Sequence, residues 1–179
     1  VFNIEISVVG AGFRRVELTQ YPVSIDKPDE PFVLMGQDKS LTYITQNGLL
    51  SSKIAPSHNT VYTSDTSSFS LSPGQDLLEV PLYWDSEDGL RVIKTFVFER
   101  GSHLIKSHYK ISNNSTEDWT GRSYSQMKRN DPGRAVKMGT YTYTGAAFST
   151  PENRYEKIDF GDMQEQSLKM DVTDGWIAM

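Results

Sequence analysis

Few residues in this sequence are of a type and spacing that could do chemistry. Three histidines, His58, His103 and His108, are the candidates for proton transfer or metal ligation, both of which need imidazole held beside a carboxylate or beside further ligands. His103 and His108 are five apart, and an odd separation on a regular strand sends side chains to opposite faces. His58 stands alone in a polar stretch. There is no His-Glu-x-x-His, no His-x-His and no phosphate-binding glycine loop, so the histidines read as structural and neither a metal nor a cofactor is expected. Cysteine is absent, which excludes a disulfide framework and a thiolate zinc site.

The carboxylates offer no clearer centre. Glu87 with Asp88, and Asp159 with Asp162, fall in turn-like segments where acidic residues favour turn formation. A glycosidase would need two distant carboxylates brought within about 5 to 10 Å, which spacing along the chain does not display. Gly-x-Ser-x-Gly is missing and Ser149 has no histidine near it in sequence, so no nucleophile is expected. Trp84, Trp119 and Trp176 could form an aromatic platform for a sugar or peptide, but Trp84 belongs to an alternating apolar face and reads as core. The chemistry therefore points to a module that holds or contacts other molecules.

Composition agrees with that class. The chain has 179 residues, 37% hydrophobic and 23% charged, with a formal charge of -5, enough to bury a core within one domain or most of a larger one. Its net negative field repels phosphate backbones, so no nucleic-acid partner is expected. No apolar run approaches the roughly 18 residues of a membrane span, and no signal peptide is visible. The chain opens at Val1 inside an alternating pattern and closes on Gly175-Trp176-Ile177-Ala178-Met179, which reads as a strand beginning; the expectation is a piece of something longer.

The elements that would position any site are strands. Phe2, Ile4, Ile6 and Val8 alternate with polar residues, Gly10-Ala11-Gly12 supplies a reversal, and Phe13 to Leu18 returns. Pro22, Pro28 and Pro31 are expected to break regular structure. Leu41 to Gln46 reads as a strand turned by Asn47-Gly48, and Ser51 to Ser68 as loop. From Leu77 to Asn113 three strands form a meander, with Leu78, Val80, Leu82, Val92, Phe96, Ile105 and Ile111 expected in the core. Pro81, unable to donate to a ladder, places the first of these strands at an edge, and apolar residues on both faces of the second, Arg91 to Glu99, predict a strand covered on both sides. Trp119 to Met127 reads as a strand, Lys128 to Gly139 as a charged loop, and Tyr141 and Tyr143 alternate with threonines. Thr150-Pro151-Glu152 predicts one helical turn through Tyr155, the only helix expected. Leu168, Met170 and Val172 read as another strand. Many short strands separated by turns mean an all-β sandwich or barrel.

The stretch from Thr144 through Gly145-Ala146-Ala147-Phe148 and Pro151-Glu152-Asn153-Arg154-Tyr155 to Lys157 resembles the most recognisable segment of the periplasmic domain of the bacterial membrane-protein insertase YidC. The Gly10-Ala11-Gly12 start, the block from Val80-Pro81-Leu82-Tyr83 through Lys94-Thr95-Phe96-Val97 to Arg100-Gly101, and the Gly175 to Met179 end resemble the same family in the same order. Phe148 and Ile158 depart from it, standing where the family often shows tyrosine or another aromatic. The resemblance implies a β-supersandwich of the galactose-mutarotase type, a single domain over residues 1–179 lacking its last strands and every membrane helix, on the periplasmic side of the inner membrane. It implies a non-catalytic interaction or spacer role in membrane-protein insertion, with nascent membrane proteins and the Sec auxiliary subunits SecD and SecF as partners. Phe148, Arg154, Tyr155 and Trp176 are the expected partner-binding residues, from the Gly145 to Glu156 stretch and its neighbourhood. The alternative is a mutarotase-like carbohydrate-active or carbohydrate-binding domain, which would require a histidine facing a carboxylate across a concave sheet.

Overall fold

The computed structural model describes residues 1–38, 42–131 and 143–179. The described residues are all-β except for one short helix, and the chain divides into two compact units, Val1–Lys128 and Arg129–Met179. Leu41, Tyr141 and residues 132–139 of the expected charged loop lie outside the described residues.

In the first unit, β1 (Phe2–Ser7) and β2 (Gly12–Ser24) form the expected hairpin, joined through Gly10 at φ +74° and Ala11 at φ +45°. β2 does not stop at Leu18. It runs on to Ser24 and returns as β3 (Lys27–Gln37), so the prolines break nothing: Pro22 and Pro31 sit opposite one another across the ladder. The register shifts on either side of that pair absorb the missing donors. β4 (Thr42–Leu50) passes straight through Asn47-Gly48, where a turn was expected. Gly48 is needed there for close approach instead, since a Cβ would lie 2.9 Å from both Ser57 Cα and the Tyr124 hydroxyl. With β8 (Arg122–Arg129) these strands make a five-stranded sheet of order β1-β2-β3-β4-β8. Trp119 precedes β8 and donates its indole N–H to the Ile54 carbonyl at 3.0 Å.

The meander is β5 (Leu77–Asp85), β6 (Leu90–Glu99) and β7 (Ile105–Asn113), fully antiparallel with β5 at an edge as Pro81 requires. Val80, Leu82, Val92 and Phe96 are buried; Val80, Leu82 and Phe96 join Ala11 and Tyr62 in the core between this sheet and the β1–β2 hairpin, while Val92 packs with Leu49 and Leu90 in a second cluster. Phe13 stacks on Phe96 across that gap at 4.7 Å between centroids. Leu78 and Ile105 are only half-buried and Ile111 is 37% exposed, because β7 is the other edge and little packs over its far end. Ile93 and Val97, on the second face of β6, are half-buried rather than buried.

The long connection 51–76 closes one side of the sandwich. Tyr62 N–H donates to the Val8 carbonyl at 2.8 Å, and Thr63 exchanges two backbone bonds with Tyr83. Residues 61–63 thus tie the end of β1 to edge strand β5.

The second unit is a three-stranded sheet of order β10-β9-β11, from β9 (Gly145–Ser149), β10 (Glu156–Asp159) and β11 (Trp176–Ala178). The expected helical turn at Thr150–Tyr155 is absent. Thr150 and Asn153 instead close the β9–β10 loop, with Thr150 N–H donating to Asn153 O at 2.8 Å and Asn153 N–H to Thr150 Oγ1 at 3.0 Å. The helix is α1 (Phe160–Glu165), capped by Asp159, whose carboxylate accepts from the Asp162 N–H. Leu168, Met170 and Val172 form no strand and are exposed; alternation alone makes no ladder without a neighbour to pair with.

Candidate functional site

Cross-strand register sorts the four expected contact residues. Trp176 lies opposite Ser149, and Phe148 lies opposite both Glu156 and Ile177. Side chains alternate along a strand, so Trp176 and Tyr155 share one face while Phe148 points from the other. The rings of Tyr155 and Trp176 meet at 6.1 Å, tilted by 47°, and Lys157 reaches over Tyr155 at 5.4 Å and over Tyr143 at 4.8 Å. Tyr155 is 58% exposed and Trp176 48%, so this aromatic pair is open to solvent. Phe148 is half-buried and lines a concavity with Ile158, Leu168 and Met170, beside Asp162 and Glu165 of α1. Arg154 is exposed in the β9–β10 loop.

Two glycines hold this sheet together by close approach. A Cβ on Gly175 would fall 2.1 Å from the Ser149 carbonyl, and one on Gly145 would fall 2.5 Å from Ile158 O.

None of the histidines meets a carboxylate. His103 sits edge-on to Phe2 at 5.4 Å and to Tyr21 at 5.8 Å. His58 Nδ1 lies 2.6 Å from the Tyr124 hydroxyl, which also accepts from the His58 N–H. His108 is exposed on β7 opposite Thr95. Among the described residues no group of three or more His, Cys, Asp or Glu is placed to hold a metal ion. Trp84 packs against both apolar clusters of the first unit and is no platform.

One buried group escaped the sequence reading. Lys94 lies between Val92 and Phe96 on the inward face of β6 and is fully buried. Its ammonium donates to Ala11 O at 2.5 Å, to Gly10 O at 3.5 Å and to Asn47 Oδ1, and lies over the Phe96 and Tyr109 rings. Burial pushes it down to about 8 from 10.5, while the three oxygens favour its charged form. Burial likewise pushes the Tyr62 hydroxyl up to about 12 and raises Tyr109; both hydroxyls are buried without a hydrogen-bond partner among the described residues. This cluster ties β6 to β4 and to the buried β1–β2 turn. The signal in sequence was a lysine at an apolar position of an alternating strand.

The comparisons with known proteins are uniform. The family model for the YidC periplasmic domain matches residues 1–179. Membrane protein insertase YidC of Thioalkalivibrio sulfidiphilus is 37% identical over 187 residues, that of Methylococcus capsulatus 37% over 182, and that of Alcanivorax borkumensis 39% over 192, each covering 100% of this chain. The chain spans about a third of the length of these curated relatives, 32% to 33%, and no helix among its described residues is long and apolar enough to cross a membrane. Matched from first residue to last, in a β-rich chain whose resembling segments occupy the β1–β2 turn, β5–β6 and β9–β11, this protein belongs to the YidC periplasmic-domain family.

Proposed function

We propose that this chain is a non-catalytic interaction module of a YidC-type insertase, held on the periplasmic side of the inner membrane, where it contacts the Sec auxiliary subunits SecD and SecF during insertion of nascent membrane proteins. The observation that carries the contact surface is the solvent-open pair Tyr155 and Trp176, flanked by Lys157, in the segment most like the family. Aromatic side chains beside a cation supply area and directionality with few rotatable bonds, the composition that dominates protein interfaces. Arg154 extends the same loop and adds a second cation. Phe148 lines the concavity on the opposite face of the sheet, beside α1.

The test replaces Arg154 and Tyr155 by alanine and measures the melting temperature and capture of purified SecF. An unchanged melting temperature with capture roughly tenfold weaker is expected. Loss of folding, with normal capture by the fraction that remains folded, would leave the loop as a structural clasp.

A further inference from the structure

The β2–β3 hairpin continues well past the end of β1. Phe2 pairs with Leu18, and every residue from Thr19 to Glu30 is exposed. Two strands without a third neighbour are marginal in water, so this arm needs support, and its sequence supplies it. Pro22 faces Pro31, which fixes two backbone torsions and removes two donors, and Lys27 bridges Glu30 at 2.8 Å at the tip. At the base, Tyr21 rests on His103, which is itself held against Phe2.

What the arm displays is apolar. Tyr21 is 52% exposed, Val23 49% and Ile25, at the tip, 95%; Leu104, beside His103, is 63% exposed. A stiffened projection that keeps an isoleucine in water at its end serves recognition better than stability. The charge beside it is acidic: among the described residues Asp26 and Asp29 form no ion pair, and Lys27 is taken up by Glu30. An anionic bilayer surface or a second copy of the same tip would be repelled by those carboxylates. The prolines leave the pair's ladder short of donors, so an added strand would bond poorly along it and recognition falls to side chains.

We infer that the β2–β3 arm is a docking finger for a basic amphipathic segment of another protein, whose apolar side chains pack on Tyr21, Val23 and Ile25 while its lysines or arginines meet Asp26 and Asp29. This surface belongs to the first unit.

The experiment titrates the full chain into a labelled synthetic peptide of alternating leucine and lysine, followed by fluorescence anisotropy. Peptides of alternating serine and lysine, and of leucine and glutamate, serve as controls. The leucine–lysine peptide binds, and Val23→Ser with Ile25→Ser weakens it roughly tenfold with the melting temperature unchanged. Asp26→Asn with Asp29→Asn weakens it by a smaller factor and flattens its salt dependence. The single Ile25→Ser variant, at a side chain that touches nothing in the fold, keeps the test valid should the double variant misfold. Equal binding by the serine variants, or by the leucine–glutamate peptide, overturns the proposal. So does Ile25-dependent binding to phosphatidylglycerol vesicles or Ile25-dependent self-association in sedimentation.

Discussion

Lys94 concentrates the energetics of the interior in one side chain. Between pH 8 and 10.5 the unfolded chain holds a proton at this lysine that the folded chain has released, so the unfolding free energy rises with pH across that window. The rise is at most about 3 kcal/mol, because the oxygens of Gly10, Ala11 and Asn47 hold the charged form back from full release. Tyr62 works in the opposite sense. Its folded value, raised to about 12, keeps a proton that the unfolded chain loses above 10, so stability falls from pH 10 upward. Urea midpoints should therefore climb from pH 8, peak near pH 10 and then fall. Lys94→Met should flatten the climb while leaving the decline, and should lower stability at pH 7 because the buried Gly10 and Ala11 carbonyls and the part-buried Asn47 Oδ1 lose their donor. A wild-type midpoint that is flat between pH 8 and 10 would refute this account.

At the scale of elements, the two edge strands of the meander separate burial from alternation. Leu82 on β5 is 2% exposed within the core, whereas Ile111 on β7 is 37% exposed, although both occupy inward positions of regular strands. Leu82→Ala should cost about 2 to 5 kcal/mol. Ile111→Ala should cost under about 1 kcal/mol, since little cover is lost. Equal costs in denaturant unfolding would mean that β7 is covered in solution. Period-two patterning made β1, β5, β6 and β7 legible, and Pro81 revealed its edge, because each of these signals is local. What was not legible depended on distant neighbours. Asn47-Gly48 spells a turn until Ser57 and Tyr124 press on Gly48 and Lys94 claims Asn47. Pro22 and Pro31 spell breaks until each is seen opposite the other. Thr150-Pro151 spells a helix start, yet Thr150 caps a loop, and the true helix begins at Asp159, whose capping role the preceding strand disguised. The aromatic pair was half legible, since Tyr155 and Trp176 were both named but the parity that removes Phe148 from them emerges only from the register.

Taken as a whole molecule, the chain distributes its burial unevenly. Every buried apolar side chain among the described residues, from Ala11 to Phe96, belongs to the unit Val1–Lys128. In Arg129–Met179 the only fully buried residues described are Gly145 and Thr150, while Tyr155, Leu168, Met170, Val172, Trp176 and Ile177 are all exposed. A sheet of three short strands with a helix of six residues can bury too little apolar surface to offset about 1 to 2 kcal/mol of backbone entropy per ordered residue. The two parts should accordingly differ when made separately. A chain ending at Asp131, which keeps β8 intact, should unfold cooperatively in urea and retain protected amides along β6. Residues 129–179 alone should show no cooperative transition and amide exchange close to that of an unfolded peptide. A sharp, independent melt of the 129–179 peptide would show that its exposed apolar residues find cover within the segment itself. Failure of the 1–131 chain to fold would show that the core of the first unit is not sufficient on its own.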